Sequence, residues 1–414
     1  MSLASNSGTV EIYFLNGTIR RWRFALSVHP ISYKFLLKPT LAQERLFLEY
    51  SSHSRFIYNE LLTRSRAARE KGEKFSLSAI GLNYEVLKIK KDHPWLLSSY
   101  SHCLYSAAKN LSVAFSMCFS KTSKKPSFKS KKTSRNSFTF PAKVKVRENE
   151  VWLPKIGFIK FVSSRDVVGK IKTANIKQSA TGKWYINIVC EREFSELPQV
   201  ADGKVIGVDV GLVNYVATSD GLLVPAPRFL RKECNKLKQL DRSVSRKKKG
   251  SKNKAKALEK RAILHEKVAN KRRDFQHKLS TMLIRDNQVI GIEDISISRL
   301  SRGNLAKSFS DAGLSGFFRQ VHYKAKWSGR SIVMANEFFP SSKTCSSCGF
   351  VNRSLRRGDR VFFCPACGLE KDRDVNAAIN LKKVAEGHSE TKNACGEGAN
   401  REFSVALPSV KQES

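Results

Sequence analysis

Two cysteine pairs restrict what this chain can fold into more than any other feature. Cys345-Ser-Ser-Cys348 and Cys364-Pro-Ala-Cys367 stand fifteen residues apart, which gives the pattern C-x2-C-x15-C-x2-C. Each pair predicts a tight knuckle with both thiols on one side. A short hairpin between the knuckles would gather four soft ligands into the tetrahedron that Zn2+ accepts. With every position supplied by protein, no site is left for water, so the predicted role is structural. Redox chemistry is the competing reading, but thioredoxin-like C-x-x-C pairs occur singly and near a βαβ start. The remaining cysteines (Cys103, Cys118, Cys190, Cys234 and Cys395) are scattered. An odd, scattered remainder argues against a secreted disulfide framework and for a reducing compartment.

Three acids occupy places where acids are expensive. Asp209 interrupts the apolar run VIGVDVGL, Glu293 ends the run Val289-Ile290-Gly291-Ile292, and Asp374 opens the helical stretch DVNAAINLKK. A carboxylate set against a buried sheet needs a cation or donors to offset its desolvation. Two strand acids and one helix-start acid can converge on a pair of Mg2+ ions. One ion then activates water and the other stabilises the leaving oxygen of a phosphodiester. Singly, each acid has a plainer reading: a turn residue for Asp209, a lysine partner for Glu293, an N-cap for Asp374. Their order, strand-Asp with a following hairpin, strand-Glu, helix-Asp, favours the shared site. Asp294 and Asp372 are the nearest alternatives to the acids chosen. No Ser-His-Asp arrangement or glycine-rich phosphate loop competes.

Charge supplies the partner. Lys and Arg number 75 against 36 Asp and Glu, a net charge of +39. Such a chain repels itself unless a polyanion neutralises it, which points to nucleic acid. Ribosomal and histone-like proteins share the charge but are shorter and poorer in aromatics than the 10% found here. Apolar runs are short and broken by Arg or Lys, so no membrane span is expected. The N-terminus lacks a basic segment followed by an unbroken apolar core, so no secretory signal is expected. A cytoplasmic location follows.

The periodicities predict an α+β multidomain chain. Tyr33 to Thr40 alternates as a strand and ends in Pro39, and Thr40 with Gln43 forms a capping box that opens helical patterning to about Ser120. The tract Lys121 to Arg135 is basic and Ser-rich; its plain reading is a solvated loop, although Phe128 within it hints at base stacking. Short strands are expected over residues 137–195 as a small barrel or sheet. An α/β region begins at Asp202-Gly203: a strand at Lys204–Leu212, a hairpin around Ser219-Asp220-Gly221, and basic helices over 230–244 and 255–284. A strand at Gln288–Asp294, a helix at Gly313–Gly329, a strand at Ser331–Met334 and a last helix from Asp374 complete it. The tail after Glu386 has no periodicity and is expected to be disordered.

The segments IGVDVGL, SRKKKGS, ANKRRDFQHKLS, IGIEDI, SDAG with YKAKWSGR, FFPSSKTCSSCGF and CPACGLEKDRDVNAAIN together resemble the TnpB family. These are the OrfB proteins of insertion sequences, related to miniature type V CRISPR nucleases. The resemblance covers roughly residues 33–385. It implies an RNA-guided DNA endonuclease with an RNase H-like (RuvC) domain, a guide RNA from the transposon end and a double-stranded DNA target beside a short duplex motif. The three RuvC acids carry over to Asp209, Glu293 and Asp374 with Mg2+, and the zinc-ribbon ligands to Cys345, Cys348, Cys364 and Cys367.

The implied domains are a wedge β-barrel from 33–40 plus 121–201, a helical recognition part over 41–120, a RuvC domain from 202–339 plus 370–385, and the ribbon at 340–369. Residues 1–32 stay unassigned and 386–414 form the tail. His102, Tyr105 and Thr139 match the positions that read the duplex motif, and Lys129, Lys247, Lys248 and Lys249 are candidate nucleic-acid contacts. Tyr105 stands where relatives often have Gln, Leu314 where an aromatic often follows SDAG, and Lys371 where His is common. None is a metal ligand. The extension before Ile31 matches nothing in the family, and a start codon set too early is one explanation. A prokaryotic, nucleoid-associated protein is implied. Two other functions stay open: a nuclease-inactive guided repressor, which should have lost an acid, and a transposase acting directly in strand transfer.

Overall fold

A computed structural model describes residues 9–13, 19–23, 27–131, 135–194, 200, 203–295, 303, 305–336, 339–356 and 358–394. The chain forms two compact units, Met1–Ser195 with Cys234–Lys267, and Glu196–Glu233 with Val268–Ser414.

In the first unit, β1 (Thr9–Tyr13) and β2 (Ile19–Arg23) pair antiparallel. The stretch left unassigned from sequence therefore carries strands, and β3 (Ser27–Lys38) begins within it. Six further strands follow: β4 (Ser137–Phe140), β5 (Lys145–Arg147), β6 (Glu150–Leu153), β7 (Gly157–Val162), β8 (Lys170–Gln178) and β9 (Trp184–Phe194). They join β3 in an antiparallel sheet of order β4-β8-β9-β3-β7-β6-β5. Its hydrogen bonding runs from edge β4 to edge β5, an antiparallel sheet where a small barrel or sheet was expected.

Helix α1 (Leu41–Glu70) opens on the capping box read from sequence: the Gln43 amide N–H donates to Thr40 Oγ1 and the Thr40 N–H to Gln43 Oε1. With α2 (Ala79–Asp92) and α3 (Ser101–Phe119) it closes a core of Ile57, Leu61, Leu82, Val86, Leu104 and Leu111. Phe47 and Tyr50 of α1 pack edge-on against Trp184 and Phe138 of the sheet.

The basic hairpin α5 (Cys234–Ser245) and the start of α6 (Lys252–Asp286), expected in the nuclease domain, belong to this first unit. A polar anchor that no local pattern reveals ties α6 to the sheet of this unit. Glu266 accepts hydrogen bonds from Tyr185 Oη at 2.7 Å and Thr181 Oγ1 at 2.8 Å, with Lys183 Nζ at 3.5 Å.

The second unit is built on β10 (Val205–Asp209), β11 (Asn214–Thr218), β12 (Leu223–Pro225), β13 (Val289–Glu293) and β14 (Ser331–Ala335), in the order β12-β11-β10-β13-β14. Strands β10, β13 and β14 are parallel, and β11 and β12 form the expected antiparallel hairpin. On one face Ile206, Val208, Ile290 and Ile292 pack with Leu279 and Leu283 of α6 and with Phe317 and Val321 of α8 (Leu314–Trp327). The helix expected over 313–329 is preceded by α7 (Ala306–Ala312), because Gly313 takes φ +62° and breaks the path between them. Short helix α4 (Phe229–Lys232) follows β12.

The other face carries α9 (Arg373–Ala394), which continues through residues expected to be a disordered tail. It lies unusually close to the sheet. A Cβ on Gly207 would stand 1.8 Å from the Ala378 carbonyl oxygen, and one on Gly291 would stand 2.3 Å from that of Leu381. Two side-chain-free positions, side by side in the parallel register, make the groove that seats this helix. Residues 395–414 lie outside the described residues. No helix among the described residues is long and apolar enough to cross a membrane.

Candidate active site and cysteine centre

The same groove brings the three acids together. Side chains alternate faces along a strand, so Asp209, two residues past Gly207, and Glu293, two past Gly291, project to the side that α9 covers. Two strand residues advance about 6.6 Å. From Ala378, beside Gly207, back to Asp374 is four helical residues, or about 6 Å. The helix therefore ends level with the two strand acids, and Asp374 in its first turn meets them.

Electrostatics records the meeting. Burial first, and then the charges of Asp374 and Glu293, push the Asp209 carboxyl up to about 7, with Arg373 and a Val210 amide hydrogen bond opposing. Burial beside like charges that raises a carboxyl's pKa is the condition that a bound divalent ion relieves. Among the described residues the acids are not packed as tightly as the cysteine sulfurs. Asp209 is coupled to the other two through charge.

Asp374 is not the helix cap that its position allows. That task falls to Asp372, whose Oδ1 accepts from the amides of Asp374 at 2.9 Å and Val375 at 3.0 Å. Asp294 is exposed and outside the group. Two residues missed by sequence reasoning touch Asp374. Asn214 Nδ2 of β11 donates to Asp374 Oδ2 at 2.9 Å, and Arg360 Nη1, from the segment between the cysteine pairs, stands 3.9 Å from the same oxygen. Both contacts fall on Oδ2. No spacing rule links residues so distant in the chain, so only folding could reveal them.

The four cysteine sulfurs all lie within 4.8 Å of one another. Cys345 Sγ to Cys367 Sγ and Cys348 Sγ to Cys364 Sγ are each 3.6 Å. A disulfide needs about 2.05 Å, whereas a tetrahedron with Zn–S bonds of about 2.3 Å has edges of about 3.8 Å. The arrangement is compatible with zinc. Burial disfavours the Cys345 thiolate, yet the amide hydrogen bonds of Cys348 and Ser347 outweigh it and bring that thiol down to about 6.

A polar stripe on α9 ties this module to the helix that carries Asp374. Asn376 accepts from the Ser346 amide at 2.9 Å and donates to Thr344 O at 2.8 Å. Asn380 donates to Ser341 O and Thr344 O, and Lys383 to Ser346 O. Residues at this spacing share one helix face.

In the first unit, Lys129 and Thr139 line a cavity of about 60 Å3 together with Arg55, Arg135, Asn175 and Ser54. Asn175 Nδ2 donates to Thr139 Oγ1 at 2.8 Å. Burial, and then the charge of Arg55, lowers the pKa of Lys129, whose ammonium sits 3.7 Å over the Tyr58 ring. His102 is exposed and Tyr105 packs partly against the helical core; neither lines the cavity. Lys248 and Lys249 are exposed and Lys247 half-buried in the turn between α5 and α6.

The chain matches three family profiles: OrfB of IS605-type elements, described as a probable transposase, over residues 187–303; a Cas12f1-like TNB domain over 315–381; and a helix-turn-helix domain over 30–74. It is 33% identical over 392 residues to the "Putative RNA-guided DNA endonuclease" of Streptomyces pristinaespiralis, covering 92% of this chain and 96% of that protein. To the "Putative RNA-guided DNA endonuclease InsQ" of Escherichia coli (strain K12) it is 32% identical over 385 residues, covering 88% and 94%. Among solved structures it is similar to the cryo-EM structure of a Cas12f1-sgRNA-target DNA complex, with a TM-score of 0.48, 14% identity, and coverage of 86% of this chain and 99% of that one.

Proposed function

The chain belongs to the TnpB (OrfB) family, and on that premise we propose that it cleaves DNA at the carboxylates Asp209, Glu293 and Asp374. It is an RNA-guided DNA endonuclease of an insertion sequence. The observation that carries the site is the coupling of Asp209 to the charges of Asp374 and Glu293 at one end of a parallel strand pair, roofed by a helix seated on two glycines. The strand order, an antiparallel triple continued by two parallel strands with helices on both faces, supports an RNase H-like (RuvC) fold. The open sheet of β3 to β9 corresponds to the wedge, and α1 to α3 to the recognition part.

The residues fit a divalent cation. Hard carboxylate oxygens suit Mg2+, and burial together with the charges of Asp374 and Glu293 disfavours the Asp209 anion, a penalty that a bound cation would offset. Mg2+ bound there would polarise the scissile phosphate and lower the pKa of the attacking water. The chain's own residues prepare that chemistry. Asn214 holds Asp374 Oδ2, which leaves Oδ1 to serve a cation. Asp372 caps the helix, so Asp374 is free of that duty. Arg360 brings a positive charge beside the trio, within reach of a phosphate oxygen.

The cysteine module is proposed as a zinc ribbon with a structural role. Its attachment to α9 through Asn376, Asn380 and Lys383 makes it a brace for the helix that presents Asp374. Cys364→Ser is expected to lose bound zinc and melt the module locally, because a structural zinc contributes its binding energy directly to folding. Atomic absorption and limited proteolysis check this; unchanged zinc content and an unchanged digestion pattern would reject the assignment.

Phosphates of guide RNA and target DNA neutralise the +39 charge. Counterion release should dominate affinity, so RNA binding is expected to weaken by about 1,000-fold or more between roughly 50 and 200 mM salt. Filter binding across that range is the measurement, and a flat affinity rejects phosphate-dominated contact.

A further inference from the structure

We propose that Phe128 is a stacking platform for an unpaired base of the guide RNA, built into the basic tract between α3 and β4. The inference rests on the guided reading above and adds to it a site for a nucleobase.

A solvated loop is what the Ser- and Lys-rich composition suggests, yet the tract is pinned to α1. Asn59 clamps the Lys129 backbone from both sides, its Nδ2 donating to Lys129 O at 2.9 Å and its Oδ1 accepting from the Lys129 N–H at 2.8 Å. Arg66 Nη2 donates to Pro126 O at 3.0 Å. The Lys129 ammonium lies over the Tyr58 ring. The segment carrying Phe128 is thus held at the residues on either side of it.

The ring itself is 50% exposed. The Arg66 guanidinium stacks over one face, 4.6 Å from the centroid. A planar cation on one side supports the ring and polarises its π cloud, and the accessible side offers a flat apolar surface. Nearby in the chain, Lys124, Lys125 and Lys131 are exposed. A half-exposed aromatic on a pinned segment rich in cations is what a base needs: stacking for its face and counter-charges for its phosphates. Duplex DNA keeps the faces of its bases covered by neighbouring pairs. A structured RNA presents splayed bases in loops and at ends, which favours RNA as the occupant.

The test uses the full-length protein and a single-stranded RNA oligonucleotide carrying 2-aminopurine, with the same RNA annealed to its complement and the matching single-stranded DNA as further arms. F128A and F128L should weaken single-stranded RNA binding about tenfold and abolish the quenching of 2-aminopurine. Duplex binding and melting temperature should stay at wild-type values, since the ring is half outside the fold. F128W should restore both affinity and quenching. Wild-type behaviour of F128A overturns the platform alone, as does full activity of F128L, which keeps the apolar bulk without the π face. Equal losses on single strand and duplex also overturn it, as does a loss confined to the DNA oligonucleotide. A wild-type protein that binds no RNA overturns the guided reading and the platform with it.

Discussion

Asp209→Ala is expected to retain RNA and target binding while cleavage falls by at least about a thousandfold. On the proposed reading the carboxylate is one of three that would hold the cation, and the two that remain would not hold a pair of ions in register with a phosphate. The phosphate-binding surface of the protein is untouched, so affinity should stay within about twofold. Gel-shift binding and single-turnover cleavage of a matched target separate the two effects. Cleavage near the wild-type rate would show that the acids have been misassigned.

The same residue carries a pH signature. Burial and its two acidic neighbours raise Asp209 from 3.8 to about 7, so between about pH 4 and 7 the native state keeps a proton that the unfolded chain has released. Stability without added divalent cation must then fall as pH rises through that window and level off above it. Asp209→Asn removes the titration. Its melting-temperature advantage over wild type should therefore be larger near pH 8 than near pH 5. An advantage of the same size at both values contradicts the raised pKa.

Gly207→Ala is the second large effect. One methyl group would stand 1.8 Å from the Ala378 carbonyl oxygen and 2.4 Å from the Lys382 nitrogen. Both are backbone atoms, so no rotamer change relieves the clash and α9 must lift from the sheet. Overpacking of this kind costs about 3 kcal/mol or more. Lifting the helix also draws Asp374 away from Asp209 and Glu293, so cleavage should fall along with stability. Gly358→Ala, where nothing lies within 4 Å, is the control. Thermal unfolding compares the pair; equal melting temperatures would mean the helix does not rest on Gly207.

Much of this was legible in the chain because it is encoded locally. The cysteine spacing specifies two knuckles, the Thr40–Gln43 pair specifies a helix start, and an acid at the end of an apolar strand stands out against its neighbours. The hairpin around Ser219-Asp220-Gly221 and the strand at residues 289–293 also follow from short-range periodicity. Other expectations needed correction. The chain before Ile31 carries strands, and α9 runs beyond Glu386. Composition had suggested a solvated tract around Phe128, because a Lys- and Ser-rich run looks the same whether it floats or is clamped by a distant Asn59.

By itself, then, the sequence determined the four cysteines that cluster, the strand-end placement of two acids and the polyanionic nature of the partner. These depend on residue type, spacing and net charge, which survive without coordinates. Tertiary structure alone decided that Asp372 caps the helix and so frees Asp374, that Asn214 and Arg360 converge on one carboxylate oxygen, and that Glu266 ties α6 to the sheet of the first unit. Each of these is a contact of a few ångströms between segments far apart in the chain. Such contacts arise from how sheets and helices stack, and the two glycines beneath α9 set that stacking at the active site.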